Sequence, residues 1–356
     1  MGSNPFIGVL FHWMGGLAAA SFYIPYRGVK QWAWETYWLV GGFFSWIIAP
    51  AVAALVLVPG TLDLLRHTDG KVLFWAYFWG AMWGVGGLTF GLSVRYLGIA
   101  LGYSVALGFC AVFGTLIPPA YAGQLGQIAG ETSGRYVLLG VGVCLVGILI
   151  SGLAGSSKEH ELTAEQKQGQ IVEFNFVKGI LVAIFAGIMS ACMSFAFTAG
   201  KPIAETAKAN LLAQGRWDLW QNLPVLVVVL LGGFTTNLVW CVWLNRRNKT
   251  GTQYGQTTTP LLPNYFFVAL AGVTWYLQFF CYSLGTTKMG KYDFSSWTLH
   301  MASIIIFSTL WGVALKEWKG TSRRTHTLIG LGLAVLIAST VIVGYGNYLK
   351  ATAATP

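Results

Sequence analysis

The stretch DFSSWTLHM, residues 293–301, places ionisable side chains at the start of a long apolar run. Asp293 and His300 stand seven residues apart, with Ser296 and Trp297 between them. Positions i, i+3, i+4 and i+7 share one face of an α-helix, so the four side chains would form a polar stripe. An imidazole with a carboxylate nearby titrates close to neutral pH. The stretch therefore indicates a site that can take up and release a proton.

A second stripe with the same spacing consists of Trp275, Gln278, Phe279 and Tyr282. It places an amide between aromatic rings. Amides and hydroxyls hydrogen-bond the hydroxyls of a neutral polyol, while flat rings pack against its C–H faces. If the two stripes face each other, they line a small wet cavity. The predicted substrate-binding residues are Trp83, Trp275, Gln278, Tyr282, Trp297 and His300.

Two further ionisable residues lie in or beside apolar segments, His12 within one and Glu35 at the mouth of another. Such groups are costly in lipid and are functional hypotheses by default. The candidates for carrying a coupling proton are therefore His300 with Asp293, and Glu35 or His12. We prefer His300 because Asp293 shares its stripe. The alternatives are a histidine that only hydrogen-bonds a neighbouring helix, and acids that complement helix dipoles.

The amino-acid composition indicates that membrane-spanning helices position these residues. Of 356 residues, 55% are apolar and 10% are charged, whereas soluble domains carry about a quarter charged residues. A membrane-spanning helix needs about 20 mainly apolar residues. Ten such segments are predicted, at 6–24, 36–58, 72–94, 97–121, 136–153, 177–199, 222–244, 263–286, 294–315 and 327–348.

Several classes of function are disfavoured by the remaining residues. All five cysteines fall in apolar segments without paired spacing, which argues against disulfides and metal sites. The net charge of +10 comes from basic residues scattered over short loops, a pattern of membrane topology rather than of nucleic-acid binding. No motif of an intramembrane enzyme is present. We therefore predict no catalytic residue, no metal and no cofactor other than a coupling proton.

The chain also has the pattern of an internal duplication. A polar linker, residues 154–176, divides the ten segments into five and five. Gly80 and Trp83 of the third segment match Gly272 and Trp275 of the eighth at a constant offset. The pairs Gly16 with Gly187, Gly140 with Gly330, and Gly142 with Gly332 match in the same order.

A repeat with an odd number of spans enters the bilayer from the opposite face the second time. The fold prediction is thus an all-α membrane protein of ten transmembrane helices arranged as two inverted five-helix repeats. The repeats are residues 1–153 and 177–350. Many secondary transporters have this arrangement, with a substrate site near mid-membrane.

Several long motifs, rich in tryptophan, histidine and tyrosine, run along the chain: FHWMGGLAAASFYIPYRGVKQWAWET, GAMWG, VRYLG, FGTLIPP, MSFAF, AGKP, WYLQFF, YDFSSWTLHM and LKEW. At these motifs the sequence resembles the L-rhamnose–proton symporters of the drug/metabolite transporter superfamily, over nearly the whole chain. The resemblance implies a multi-pass protein of the bacterial inner membrane. It also implies uptake of L-rhamnose, or a related 6-deoxyhexose, driven by protons through alternating access.

Two alternatives stay open at this stage. One is an exporter or exchanger of small metabolites from the same superfamily, although an exchanger of anions should show lysines or arginines clustered within the spans. The other is a passive sugar channel, because a sequence does not reveal coupling. The partners expected are a small sugar, a proton and the lipid bilayer, without nucleic acid.

Overall fold

The computed structural model describes residues 4–97, 99–161 and 176–353, and within these ranges the regular secondary structure is helical, with no strand. The first nine helices are α1 (Pro5–Ser21), α2 (Tyr23–Tyr26), α3 (Trp34–Phe43), α4 (Ala49–Leu57), α5 (Thr61–His67), α6 (Gly70–Leu97), α7 (Ile99–Tyr121), α8 (Leu125–Gly130) and α9 (Thr132–Glu161). The later helices are α10 (Phe176–Ala199), α11 (Lys201–Ala213), α12 (Leu223–Asn248), α13 (Leu261–Thr286), α14 (Ser296–Ala314) and α15 (Arg323–Ala353).

Eight segments in the described part of the chain are long and apolar enough to cross a membrane. They contain α1, α3 with α4, α9, α10, α12, α13, α14 and α15. The other two predicted spans, 72–94 and 97–121, coincide with α6 and α7. Helix α6 has 28 residues and is rich in Trp, Tyr and Gly, which score low in hydropathy. Helix α7 has 23 residues and contains a further apolar segment, Val105–Tyr121.

The predicted polar linker, residues 154–176, begins within the last turns of α9. Helix α9 continues through the first eight of these residues and ends at Glu161, while residues 162–175 lie outside the described part. The Glu161 carboxylate accepts hydrogen bonds from the backbone N–H and the hydroxyl of Ser322, both 2.5 Å, and from the Thr325 hydroxyl at 2.7 Å. These bonds hold the polar end of α9 against the start of α15.

A π-helical turn, Phe44–Ile48, joins α3 to α4 and places Ser45 and Trp46 in the interior. In this turn the Ala49 N–H bonds to the Phe44 carbonyl, five residues earlier. Pro50, which has no N–H to donate to the carbonyl four residues earlier, follows directly. Turns of this type are uncommon and occur often at functional sites.

The chain divides into two compact units that do not coincide with the halves of the sequence. The first unit comprises Ala18–Val85 and Phe195–Leu284. Within it α12 packs against α3, the π turn and α4. A side chain at Gly80 of α6 would collide with the Val229 backbone of α12, and one at Gly272 of α13 would collide with Gly41 and Phe44. These helices cross where only glycine fits.

The second unit comprises the N-terminal residues to Leu17, Gly86–Ser194 and the residues from Gly285 onward. Its most extensive helix contact, within the described residues, is between α9 and α15. These two helices run antiparallel, because Gly140 packs against Val343 whereas Gly147, further along α9, packs against the earlier residue Leu336. Helix α14 packs against α7, α9 and α15.

Candidate functional site

The first unit contains a cluster of aromatic rings built from three different spans. Trp83 of α6 and Trp275 of α13, both predicted for the substrate site, have ring centroids 5.6 Å apart. Phe279, one turn after Trp275, lies 5.6 Å from Trp83. The structure thus brings these two tryptophans of the predicted site together in one cluster.

Trp46 of the π turn completes this aromatic cluster and was not predicted from the sequence. Its ring is edge-on to Trp275 at 5.3 Å and to Trp83 at 6.2 Å. It is 4% exposed and lies near the middle of the 24-residue span Trp34–Leu57. One available signal was Pro50, four residues after Trp46. The sequence offered no other, because Trp46 is one of 16 tryptophans and has no ionisable neighbour in its segment.

Gln278 and Tyr282, the polar members of the α13 stripe, are both buried. Tyr282 packs against Phe197 of α10 with ring centroids 5.2 Å apart, and against Phe279 at 6.3 Å. A buried amide within an aromatic environment can bind a polyol by hydrogen bonds and ring packing together.

Glu35 begins α3 and lies in a polar cluster of the same unit, 5% exposed. Its Oε1 accepts hydrogen bonds from the Asn248 amide at 3.0 Å and the Thr250 hydroxyl at 2.8 Å. Asn245, which accepts a 3.1 Å bond from Thr250, extends the cluster to Tyr254. In the described part of the chain no lysine or arginine forms an ion pair with Glu35.

The second unit holds both histidines of the prediction, and both are fully buried. The Ser303 hydroxyl of α14 lies 2.9 Å from the His12 carbonyl and 2.9 Å from the His300 carbonyl, so it connects α1 and α14 at these residues. The His12 ring packs on Gly285, where a Cβ atom would lie only 2.6 Å from it. The structure thus brings His12 and His300 into one cluster.

Trp297 belongs to this histidine cluster. Its indole N–H donates a 3.0 Å hydrogen bond to the Cys110 carbonyl of α7, and its ring centroid is 6.3 Å from that of His300. Next to it, the hydroxyls of Thr298 and Thr115 are 2.7 Å apart. Helix α14 is therefore fixed to α7 by polar contacts at the level of the predicted stripe.

Asp293 differs from the other members of that stripe. It lies in a 3₁₀ turn, Gly290–Ser295, before α14 begins, and its side chain is exposed. Ser296, Trp297 and His300 are buried. Tyr292 departs from helical geometry with φ −104° and ψ 38°, so the chain enters α14 through a kink rather than as one continuous helix.

Glu131, which the sequence reasoning passed over, is the acid that anchors this turn. Its carboxylate accepts hydrogen bonds from Lys350 at 2.6 Å, Tyr292 at 2.5 Å and Lys291 at 3.1 Å. These donors, Lys350 first among them, lower the pKa of Glu131 from its ordinary value to about 2. The cluster ties the turn before α14 to the start of α9 and the end of α15.

The nine predicted residues divide between the units. Glu35, Trp83, Trp275, Gln278 and Tyr282 belong to the first, and His12, Asp293, Trp297 and His300 belong to the second. The apolar spans bury an aromatic cluster near mid-span and also bury carboxyl and imidazole groups. These features define the class of multi-spanning membrane proteins that transport solutes.

Comparison with known proteins specifies the class further. Residues 1–348 match the family described as L-rhamnose-proton symport protein (RhaT). The L-rhamnose-proton symporter of Cronobacter sakazakii is 38% identical over 344 residues, which cover 96% of this chain and 97% of that protein. The L-rhamnose-proton symporters of Yersinia pestis and Yersinia pseudotuberculosis are each 37% identical over 344 residues, with the same coverage.

The chain belongs to the L-rhamnose-proton symport protein family. The family resemblance drawn from the tryptophan- and histidine-rich motifs is confirmed. The family is one of transporters and not of enzymes.

Proposed function

We propose that this chain takes up L-rhamnose together with protons across the bacterial inner membrane, by alternating access. Its relatives are named for this activity over nearly their full length. The structural observation that carries the proposal is the mid-span cluster of Trp83, Trp275 and Trp46, with Gln278 buried on the same helix as Trp275. Rings beside an amide suit a small neutral sugar better than a charged metabolite.

The finer architecture is part of this proposal: ten spans in two inverted repeats, residues 1–153 and 177–350. The packing of α9 and α15 supports it, because they contain the matched pairs Gly140 with Gly330 and Gly142 with Gly332 and run antiparallel. Helices related by an axis in the membrane plane must run in opposite directions.

Packing at two other matched glycine pairs supports the same symmetry. Gly80 contacts the seventh predicted span at Val229, and its match Gly272 contacts the second span at Gly41. In the second unit, Gly16 of the first predicted span contacts Ser303 of the ninth. Its match Gly187, in the sixth predicted span, contacts Ala106 of the fourth. A two-fold axis between the repeats would relate each span to the span five positions later. It would therefore turn the contact between spans three and seven into one between eight and two, and the contact between spans one and nine into one between six and four, as found in these packing contacts.

We place the sugar against Trp83, Trp275, Gln278 and Tyr282, and keep Trp297 and His300 as further proposed contacts. For the proton we propose Glu35 first, and His300, His12 and Asp293 as the other candidates. Glu35 is a buried carboxyl whose hydrogen-bond donors, Asn248 and Thr250, are neutral, so it can be protonated without breaking an ion pair. Tyr37, Cys241 and Tyr254 are the titratable groups that interact with it.

Transport into proteoliposomes tests the proposal. With the interior alkaline relative to the medium, the protein should accumulate labelled L-rhamnose above the external concentration. A proton ionophore should reduce the internal concentration to equilibrium. Rhamnose that equilibrates equally with and without the gradient would identify a passive channel, and no rhamnose entry at all would refute the proposed substrate.

A further inference from the structure

The π turn carries a buried hydrogen-bond donor that the folded chain does not use. Among the described residues, no acceptor lies within hydrogen-bond distance of the Trp46 indole Nε1. A buried donor without a partner is costly in any protein interior. Four ring contacts nonetheless fix Trp46 there, two of them with Trp38 at 6.2 Å and with Phe234 at 6.5 Å. An acceptor that arrives from outside the chain would satisfy this donor.

A small cavity with Trp46 in its wall lies within the first unit. Its walls are the residues Phe22, Tyr26, Trp38, Gly42, Ser45, Trp46 and Trp275. The cavity has about 10 Å³ of space for the centre of a water-sized sphere, roughly what one water molecule needs. It is therefore large enough for one hydroxyl group of a ligand and not for a whole sugar ring. Its aromatic walls suit the C–H surface that surrounds a sugar hydroxyl.

Two polar groups of the cavity wall already have partners within the protein. The Trp38 indole N–H donates to Asn237 at 3.1 Å, and the Ser45 hydroxyl donates to the Gly42 carbonyl at 3.4 Å. Gly42 also lets the Trp46 ring lie directly on the helix, since a Cβ atom there would be 2.7 Å from the ring. Among the described residues the Trp46 N–H has no acceptor, so it is available to bind a ligand.

We infer that the π turn forms a sugar subsite, in which the Trp46 indole N–H donates a hydrogen bond to one hydroxyl of the substrate while that hydroxyl enters the cavity between Trp38, Ser45 and Trp275. This inference rests on the proposed function, since it assumes a monosaccharide substrate. It adds a specificity-determining donor on the second predicted span, opposite the α13 stripe.

The test is L-rhamnose binding to the purified full chain in detergent, measured by calorimetry together with the thermal midpoint. Trp46→Phe keeps an aromatic ring and removes the N–H. Because the phenyl ring is smaller than the indole and leaves space in a packed aromatic cluster, the midpoint without sugar should fall. Affinity for L-rhamnose should fall by about tenfold to a hundredfold, the effect of one lost hydrogen bond to a buried group. The stabilisation by saturating sugar should shrink accordingly.

Trp32→Phe is the matched control. Among the described residues the Trp32 indole N–H is also buried without an acceptor, but its ring packs against Tyr265 at 4.9 Å and does not line the cavity. Rhamnose affinity should be unchanged in this variant. Equal losses in both variants would show a general effect of removing buried indoles and would overturn the inference.

Ser45→Thr provides a second variant in case Trp46→Phe does not fold. It keeps the hydroxyl and adds a methyl group to the cavity wall, so it should weaken rhamnose binding several-fold. If Trp46→Phe folds and binds L-rhamnose with wild-type affinity, the inference is overturned. If Trp46→Phe does not fold, wild-type affinity of Ser45→Thr overturns it instead. In either case rhamnose transport by the wild-type protein leaves the proposed function intact. A wild-type protein that binds no L-rhamnose refutes the function and the subsite together.

Discussion

At the scale of single residues, the sequence and the structure agree best where a polar side chain lies on an apolar helix. Gln278 and Tyr282 are buried on α13, the helix that also carries Trp275. The geometry that decides their environment comes from other helices, however. Trp83 could be paired with Trp275 through the repeat, whereas Trp46 could not, because a change in helical hydrogen bonding has no clear sequence pattern.

Gln278→Leu tests the proposed sugar contact on α13. Leucine has a similar volume and no polar atoms, so sugar hydroxyls lose a partner, which costs about 1–3 kcal/mol or roughly ten to a hundredfold in affinity. Calorimetry with L-rhamnose measures the change. Gln256→Leu, at an exposed position in the loop before α13, is the control and should bind normally. Rhamnose affinity unchanged in Gln278→Leu would remove this residue from the site.

Glu35→Gln tests the proposed proton site. The glutamine keeps the shape and can still accept hydrogen bonds from Asn248 and Thr250, but it cannot release a proton. Accumulation of rhamnose driven by a pH gradient should be lost, while exchange of internal for external rhamnose should persist because it needs no net proton movement. Glu205→Gln, an exposed carboxyl on α11, should accumulate rhamnose like the wild type.

The histidine cluster is the alternative for the same step. If Glu35→Gln accumulates rhamnose normally and His300→Gln or His12→Gln does not, the coupling proton belongs to the second unit. Asp293→Asn then separates the two remaining possibilities. Loss of rhamnose accumulation in this variant would favour a proton relay between Asp293 in the exposed turn and His300. Normal accumulation would limit Asp293 to a role at the start of α14.

At the scale of elements, most helix positions could be predicted and their ends could not. The predicted span 294–315 corresponds closely to α14, Ser296–Ala314, whereas 136–153 lies inside the longer α9. The difference arises because polar residues at the ends of α9 find partners on other elements. Glu131 and Glu161 bond to residues more than 150 positions away, and local sequence gives no sign of such pairing.

These two carboxylates predict how stability responds to acid. Hydrogen bonds from Ser322, then Thr325, lower the pKa of Glu161 to about 2, as those from Lys350, Tyr292 and Lys291 do for Glu131. The folded protein therefore binds fewer protons than the unfolded chain between pH 2 and the ordinary carboxyl pKa near 4.5. Their contribution is complete above pH 4.5 and is lost as the pH falls towards 2.

The measurement is the thermal midpoint of the detergent-purified protein between pH 6 and pH 3. We expect the midpoint to fall with the pH and to fall less steeply in Glu131→Gln and Glu161→Gln, which start from a lower value at pH 6. Glu205→Gln should reproduce the wild-type slope. If the thermal midpoint falls with pH at the same slope in all four proteins, protonation of these two carboxylates is not the cause of the acid destabilisation.

At the scale of the whole molecule, the family and the helical membrane class could be predicted from composition and motifs. The compact units could not, because each unit combines segments from both halves of the sequence. A duplication describes how the chain is ordered, while a compact unit describes which helices pack together. The proposed repeat and the observed units are thus different divisions of the same chain. The two divisions are compatible, because the matched glycines of the two repeats make equivalent contacts within the units.

The central claim is that sugar and proton move together, and the most direct measurement is proton movement caused by the sugar itself. Proteoliposomes in weakly buffered medium, with no imposed pH gradient and an ionophore that cancels membrane potential without carrying protons, should take protons from the medium when L-rhamnose is added outside. The medium should become more alkaline, and protein-free vesicles should show no change. Rhamnose that enters the vesicles while the external pH stays constant would contradict the account.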